Sequence, residues 1–165
     1  MGPAHLGIGF AAKKAAPDVP LWMLLVASEV LDLLSFVFIT IGVEKISAVK
    51  TSLEKGIETI TPGSVPWSHG LFMSLVWSVA AAILGYLVFK DRHSGKVIGL
   101  VVFSHWILDL IVHPPDLPLF LEGSPMLGLG LWTSGPGLIA SMILEVVLTF
   151  GGIAIYILHR RRETL

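Results

Sequence analysis

The sequence predicts an all-α polytopic membrane protein, a helix bundle with four transmembrane helices and a short N-terminal half-helix. Three observations predict it. Hydrophobic residues make up 54% of the 165-residue chain and charged residues only 14%, with a mean hydropathy of +0.82, well outside the composition of soluble globular domains. Four apolar stretches, residues 21–43, 67–89, 96–113 and 137–158, approach or exceed the roughly 20 helical residues that cross a bilayer. Basic residues are also unevenly placed. Lys13, Lys14, Lys90, Arg92, Lys96, Arg160, Arg161 and Arg162 fall on one side of a four-span topology, and only Lys45, Lys50 and Lys55 on the other. Such a bias puts both termini in the cytoplasm and the 44–66 and 114–136 connections outside. The chain reads as a single integral membrane domain over 1–165.

Taken in order, residues 3–12 are apolar but too short to cross. Lys13 and Lys14 follow this run, whereas a signal peptide carries its basic residues before it. If the two lysines mark the interface and the run folds back as a half-helix, His5 rises about 13 Å into the bundle. The first span carries Glu29 and Asp32, three residues apart and so on one face, near the bilayer middle. The 44–66 connection mixes Lys and Glu and ends in Pro62-Gly63 and Pro66; it reads as a loop with at most one surface helix. His69 lies just inside the outer end of the second span. The third span holds Ser104-His105-Trp106-Ile107-Leu108-Asp109-Leu110-Ile111-Val112-His113. His105, Asp109 and His113 recur at a spacing that stacks them on one stripe of a helix. The 114–136 connection has no Lys or Arg and is rich in Pro, Gly and Leu, so it packs over the bundle mouth or lies in the interface. Glu145 sits near the middle of the fourth span.

Ionisable groups at bilayer depth are costly, and each span supplies at least one between its middle and outer end. With no cysteine in the chain, disulfides, thiolate ligands and thiol nucleophiles are excluded, leaving His, Asp and Glu as the reactive inventory. Imidazoles with carboxylates form the ligand set of a divalent metal, zinc foremost, with manganese or iron as alternatives. His5, Glu29, Asp32, His69, His105 and Asp109, with Glu145 or His113, form one candidate polar cavity opening outward, in which a free carboxylate, Glu29 or Glu145, is the candidate general base. Glu145 has no near neighbour on its own helix, so an interhelical hydrogen bond explains it equally well. His113, beside Pro114, suits a helix cap or an interface, and His93 and His159 lie among basic residues that belong in solvent. Trp67, Trp106 and Trp132 read as belt or packing aromatics. A formal net charge of -1 gives no reason to expect a nucleic-acid partner. Neither His-Glu-x-x-His, nor a phosphate loop, nor a Gly-x-Ser-x-Gly elbow is present.

Asp32 in a Leu-Asp-Leu context, Trp67-Ser68-His69-Gly70-Leu71 at the second span and Ser104-His105 with Asp109 in the third resemble the bacterial inner-membrane metal-dependent hydrolases of the LexA-binding, YdjM-like family. The resemblance runs from His5 to the end of the third span. It implies His5, Asp32, His69, His105 and Asp109 as metal ligands, and a hydrolase acting on a phosphoester or another lipid-like ester. This chain keeps one of the two acids of the family's first box, with Glu29 as a substitute, and lacks the Arg of its second.

The expectation is therefore a membrane-embedded metal-dependent hydrolase of a bacterial inner membrane, with Glu29 as general base or further ligand. Its partners would be the bilayer and a lipid-like or membrane-associated small molecule. The alternative is a proton- or cation-coupled transporter using the same carboxylates and histidines. A scaffold whose polar groups only lock helix packing is a third reading.

Overall fold

The structure is a computed structural model that describes residues 2–61 and 63–163. The protein is all-α apart from two small hairpins. Helices α1 (Gly2–Ala12), α2 (Leu21–Thr40), α3 (Pro66–His69), α4 (Leu71–Phe89), α5 (Arg92–Val112) and α6 (Gly135–Glu163) follow in chain order. Hairpin β1–β2 (Ala48–Ser52, Gly56–Thr61) lies between α2 and α3, and the short pair β3–β4 (Leu117–Pro118, Met126–Leu127) between α5 and α6. Among the described residues α2, α4, α5 and α6 are long and apolar enough to cross a membrane, which makes this an integral membrane protein. Phe36, Leu100 and Phe150 are exposed on these helices, as suits surfaces solvated by acyl chains. Over half of the apolar window of α5 is buried, against 17% for α4 and for α6. The helix that carries His105 and Asp109 is thus the most enclosed of the four.

Two expectations are corrected. The 44–66 connection is neither an irregular loop nor a surface helix: β1 pairs antiparallel with β2, and Lys45 bridges Ser64 beyond the bulge at Ala48/Val49. The second span is not continuous from residue 67. Gly70 adopts extended backbone (φ -63°, ψ 139°) and separates α3 from α4, so His69 ends its own short helical turn. The break lets the chain pair sideways, with Phe72 N–H donating to the Leu119 carbonyl at 3.1 Å. A Cβ at Gly70 would meet the Pro66 and Phe120 carbonyl oxygens at 2.4 and 2.8 Å.

The boundaries have local causes. Helix α2 stops at Thr40 because Gly42 takes a left-handed conformation (φ 77°). Gly42 N–H then bonds the Ile39 carbonyl and Val43 N–H the Phe38 carbonyl, the paired geometry of a Schellman cap. Helix α5 begins at Arg92, four residues earlier than expected, because Asp91 caps it: Oδ2 accepts from Ser94 N–H at 2.7 Å and Oδ1 from His93 N–H at 3.2 Å. These bonds, the Ser94 backbone contact foremost, hold the exposed Asp91 carboxyl below its ordinary value of 3.8. A depressed carboxylate contributes stability above its unfolded value and loses it as pH falls through the folded one. Asp91→Ala is therefore expected to lower the melting temperature slightly at pH 7 and to make no difference in strong acid. Thermal melts by circular dichroism at both pH values check this.

By backbone proximity the chain resolves into two compact units. One takes in Met1–Val30, Val76–His105 and Leu144–Leu165; the other Leu31–Leu75 and Trp106–Ile143. In the first, α1 packs backbone to backbone on α6. A Cβ on Gly152 would lie 1.9 Å from the Gly7 carbonyl oxygen, and one on Gly7 would lie 2.3 Å from that of Leu148. Lys13 closes the α1–α2 turn by donating to the Pro17 and Val19 carbonyls at 2.6 and 2.8 Å. His93 is exposed as expected, yet its Nε2–H reaches the Ala15 carbonyl at 2.8 Å. In the second unit the two connections fold onto each other. Cβ atoms built on Gly56 and Gly135 would run into the Trp132 and Leu53 carbonyl oxygens.

Candidate metal centre

The second unit brings three sequence-predicted residues together. His69 Nε2 lies 3.3 Å from Asp32 Oδ1 and 3.5 Å from Asp109 Oδ2. The three side chains come from α2, α3 and α5, so the cluster exists only in the folded chain. His69 and Asp109 are almost wholly buried, whereas the Asp32 side chain is 51% exposed and forms the open edge. The half-turn that carries His69 is pinned from behind by Trp106, whose Nε1–H donates to the His69 carbonyl at 2.9 Å. Trp106 is 3% exposed. It is therefore a packing aromatic, as one of the two expected roles had it.

A residue absent from the sequence reading completes this cluster. Glu44 is 2% exposed. Its Oε1 accepts from the backbone N–H groups of Trp67 and Ser68, both at 2.8 Å, and its Oε2 accepts from the Ser68 hydroxyl at 2.8 Å. The carboxylate thus caps α3, whose own preceding residue, Val65, makes no side-chain cap. Ser68 Oγ stands 2.8 Å from His69 Nδ1. Trp67-Ser68-His69 marks the spot in the sequence, but nothing local points from there to Glu44.

The first unit holds a histidine pair. His5 is 1% exposed on α1, as the half-helix expectation required, and stacks on His105 with ring centroids 3.6 Å apart and planes 7° from parallel. His105 Nδ1 lies 2.7 Å from the Ser28 carbonyl oxygen. A carbonyl can only accept, so Nδ1 carries the proton and Nε2 keeps its lone pair when the ring is neutral. Glu29 is half-buried on α2. Glu145 is half-buried on α6, where a Cβ on Gly2 would stand 3.9 Å from its Oε1. His113 belongs elsewhere: its Nδ1 meets Asp116 Oδ1 at 3.1 Å and its ring tilts against Trp132.

Fold and site together define an integral membrane protein with buried His and Asp side chains of the kind that could hold a metal ion. The two separations from His69 Nε2, 3.3 Å to Asp32 Oδ1 and 3.5 Å to Asp109 Oδ2, are of the size such ligation requires. Ligand atoms about 2.1 Å from a tetrahedral zinc ion stand about 3.4 Å from one another, whereas octahedral geometry brings them to about 3.0 Å. No family model, curated protein or solved structure matches the chain.

Proposed function

We propose that the chain is a membrane-embedded, metal-dependent hydrolase of a membrane-associated ester or phosphoester. Asp32, His69 and Asp109 would hold a divalent ion, zinc foremost, and the family resemblance adds His5 and His105 to the proposed ligand set. The observation that carries this reading is the convergence of two carboxylate oxygens on His69 Nε2 at 3.3 and 3.5 Å. Two carboxylates facing one ring nitrogen call for a proton or a metal ion among them. Support also comes from His105, which donates its Nδ1–H to a backbone carbonyl, the outer hydrogen bond that most metal-binding histidines make. The chemistry that such an ion would supply is acidification of a bound water to near neutrality, giving a nucleophile within the membrane protein. Glu29 is the proposed general base, with Glu145 in reserve. The half-exposed Asp32 marks the side from which a lipid-like substrate enters.

The resemblance to the YdjM-like family supports the same ligand set and a bacterial inner-membrane location, and the distribution of Lys and Arg supports placing both termini in the cytoplasm. One observation favours a second reading. An imidazolium between Asp32 and Asp109 would hold a proton where the metal is proposed, as a proton-coupled carrier requires.

Metal content decides between them. Detergent-purified wild type should carry near-stoichiometric zinc, manganese or iron by mass spectrometry, and His105→Ala should carry much less. A screen of esters and phosphoesters with the loaded protein then identifies the reaction. Folded wild type that takes up no metal even when it is supplied overturns the hydrolase reading, and uptake into liposomes driven by a pH gradient would establish the carrier.

A further inference from the structure

We infer that Glu44 and Ser68 form a relay that sets the tautomer of His69, holding the proton on Nδ1 and leaving Nε2 as the ligating atom. The inference rests on the metal reading only for its consequence, not for its geometry. Glu44 as a carboxylate has no proton to give. Its Oε1 is taken by two backbone N–H groups and its Oε2 faces the Ser68 hydroxyl. Ser68 has one hydroxyl proton, and it points to Oε2. The Ser68 oxygen therefore meets His69 Nδ1 only as an acceptor, at 2.8 Å, and the imidazole must be the donor. Direction passes through the chain like a ratchet: carboxylate accepts from hydroxyl, hydroxyl accepts from ring.

Burial makes the relay decisive. Ser68 is 0% exposed and Glu44 2%, so water does not compete for these bonds, and a reversed bond would leave a polar group facing a wrong partner. The Gly42 turn and hairpin β1–β2 bring Glu44 back onto α3, which explains why an acid just beyond the end of α2 is buried at all. Outer hydrogen bonds of this kind fix the tautomer and ring orientation of metal-ligating histidines, and their loss weakens metal binding by about 10–100-fold. Glu44 and Ser68 are positioning residues that act through His69.

Glu44→Gln tests the relay with almost no change of shape. The amide oxygen can still accept from the two backbone N–H groups, while the amide nitrogen now donates to Ser68 Oγ. The Ser68 proton is pushed toward His69 Nδ1, and that nitrogen must give up its own proton. Nitrogen NMR of histidine-labelled protein, with His69 assigned by comparison with His69→Gln, reads the tautomer without any metal present. Wild type should show a protonated Nδ1 at His69, with any proton on Nε2, which faces Asp32 and Asp109, displaced when zinc is supplied. Glu44→Gln should remove the proton from Nδ1 and lower zinc affinity about 10–100-fold. Adding Ser68→Ala to Glu44→Gln removes the wrong donor and should restore affinity to that of Ser68→Ala alone, a rescue that a merely structural role would not produce. A bare Nδ1 in the metal-free wild type overturns the inference, as does a Glu44→Gln spectrum unchanged at His69. Loss of the Nδ1 proton in Glu44→Gln, in a protein that binds no zinc, would uphold the relay and remove the metal reading alone.

Discussion

Asp109→Ala is expected to lower zinc affinity by more than 100-fold, beyond the loss that an outer hydrogen bond accounts for. Asp109 is 2% exposed, and its Oδ2 stands 3.5 Å from His69 Nε2. On the proposed metal reading, its removal takes away one of the two carboxylates that would balance the ion's charge. The other, Asp32, is on the open edge, where solvent screens it and weakens its hold. Asp109→Asn keeps the volume and removes the charge, so it separates ligation from packing: it should lose metal nearly as fully while keeping the wild-type melting temperature measured without metal. Zinc titration of both variants provides the check. Wild-type occupancy in Asp109→Ala would mean that the ion, if any, sits elsewhere. Acidification should act in the same direction, since His and Asp must be deprotonated to ligate, and bound metal should be released progressively below neutral pH.

The second large effect is expected at the α1–α6 contact. Gly152→Val should destabilise the protein by about 3 kcal/mol, the upper end of overpacking costs. The clash is with backbone, not with a side chain that could swing away: a Cβ at Gly152 would meet the Gly7 oxygen, carbon and Cα at 1.9, 2.6 and 2.8 Å. Helix α1 has only 11 residues and cannot hold its place without this close approach, so the added bulk should lift it away and carry His5 off His105. The neighbouring glycine serves as the control. A Cβ on Gly151 meets nothing within 4 Å, and Gly151→Val should be tolerated. Thermal melts in detergent compare the two. Equal stability of the two variants would show that α1 does not depend on this contact.

Much of the helical framework was legible in the sequence. Apolar runs of about 20 residues declare membrane helices without reference to any partner, because a helix satisfies its own backbone in lipid. The stripe of His105 and Asp109 was legible for the same reason, since residues four apart share a face in any helix. The buried half-helix with His5 followed from its length and the lysines after it. Hairpin β1–β2 was not read, although Gly56 and the alternation of Ile57, Glu58 and Thr59 were on the page. Its charged residues mask the alternation, and the strands are stabilised by the 131–134 segment far along the chain.

What the sequence alone determined, then, is the set of helices, their membrane character and the faces on which ionisable residues lie. These depend on interactions within a turn or two of chain. Only the tertiary structure decided that Asp32, His69 and Asp109 share one cluster, that His5 stacks on His105 while His113 turns away to Asp116, and that Glu44 stands behind His69. Apart from the local His113–Asp116 pair, each of those meetings joins segments far apart in sequence. They are fixed by the Gly42 turn, the break at Gly70 and the glycine contact of α1 with α6, where backbone geometry and close packing, not local periodicity, select the partner.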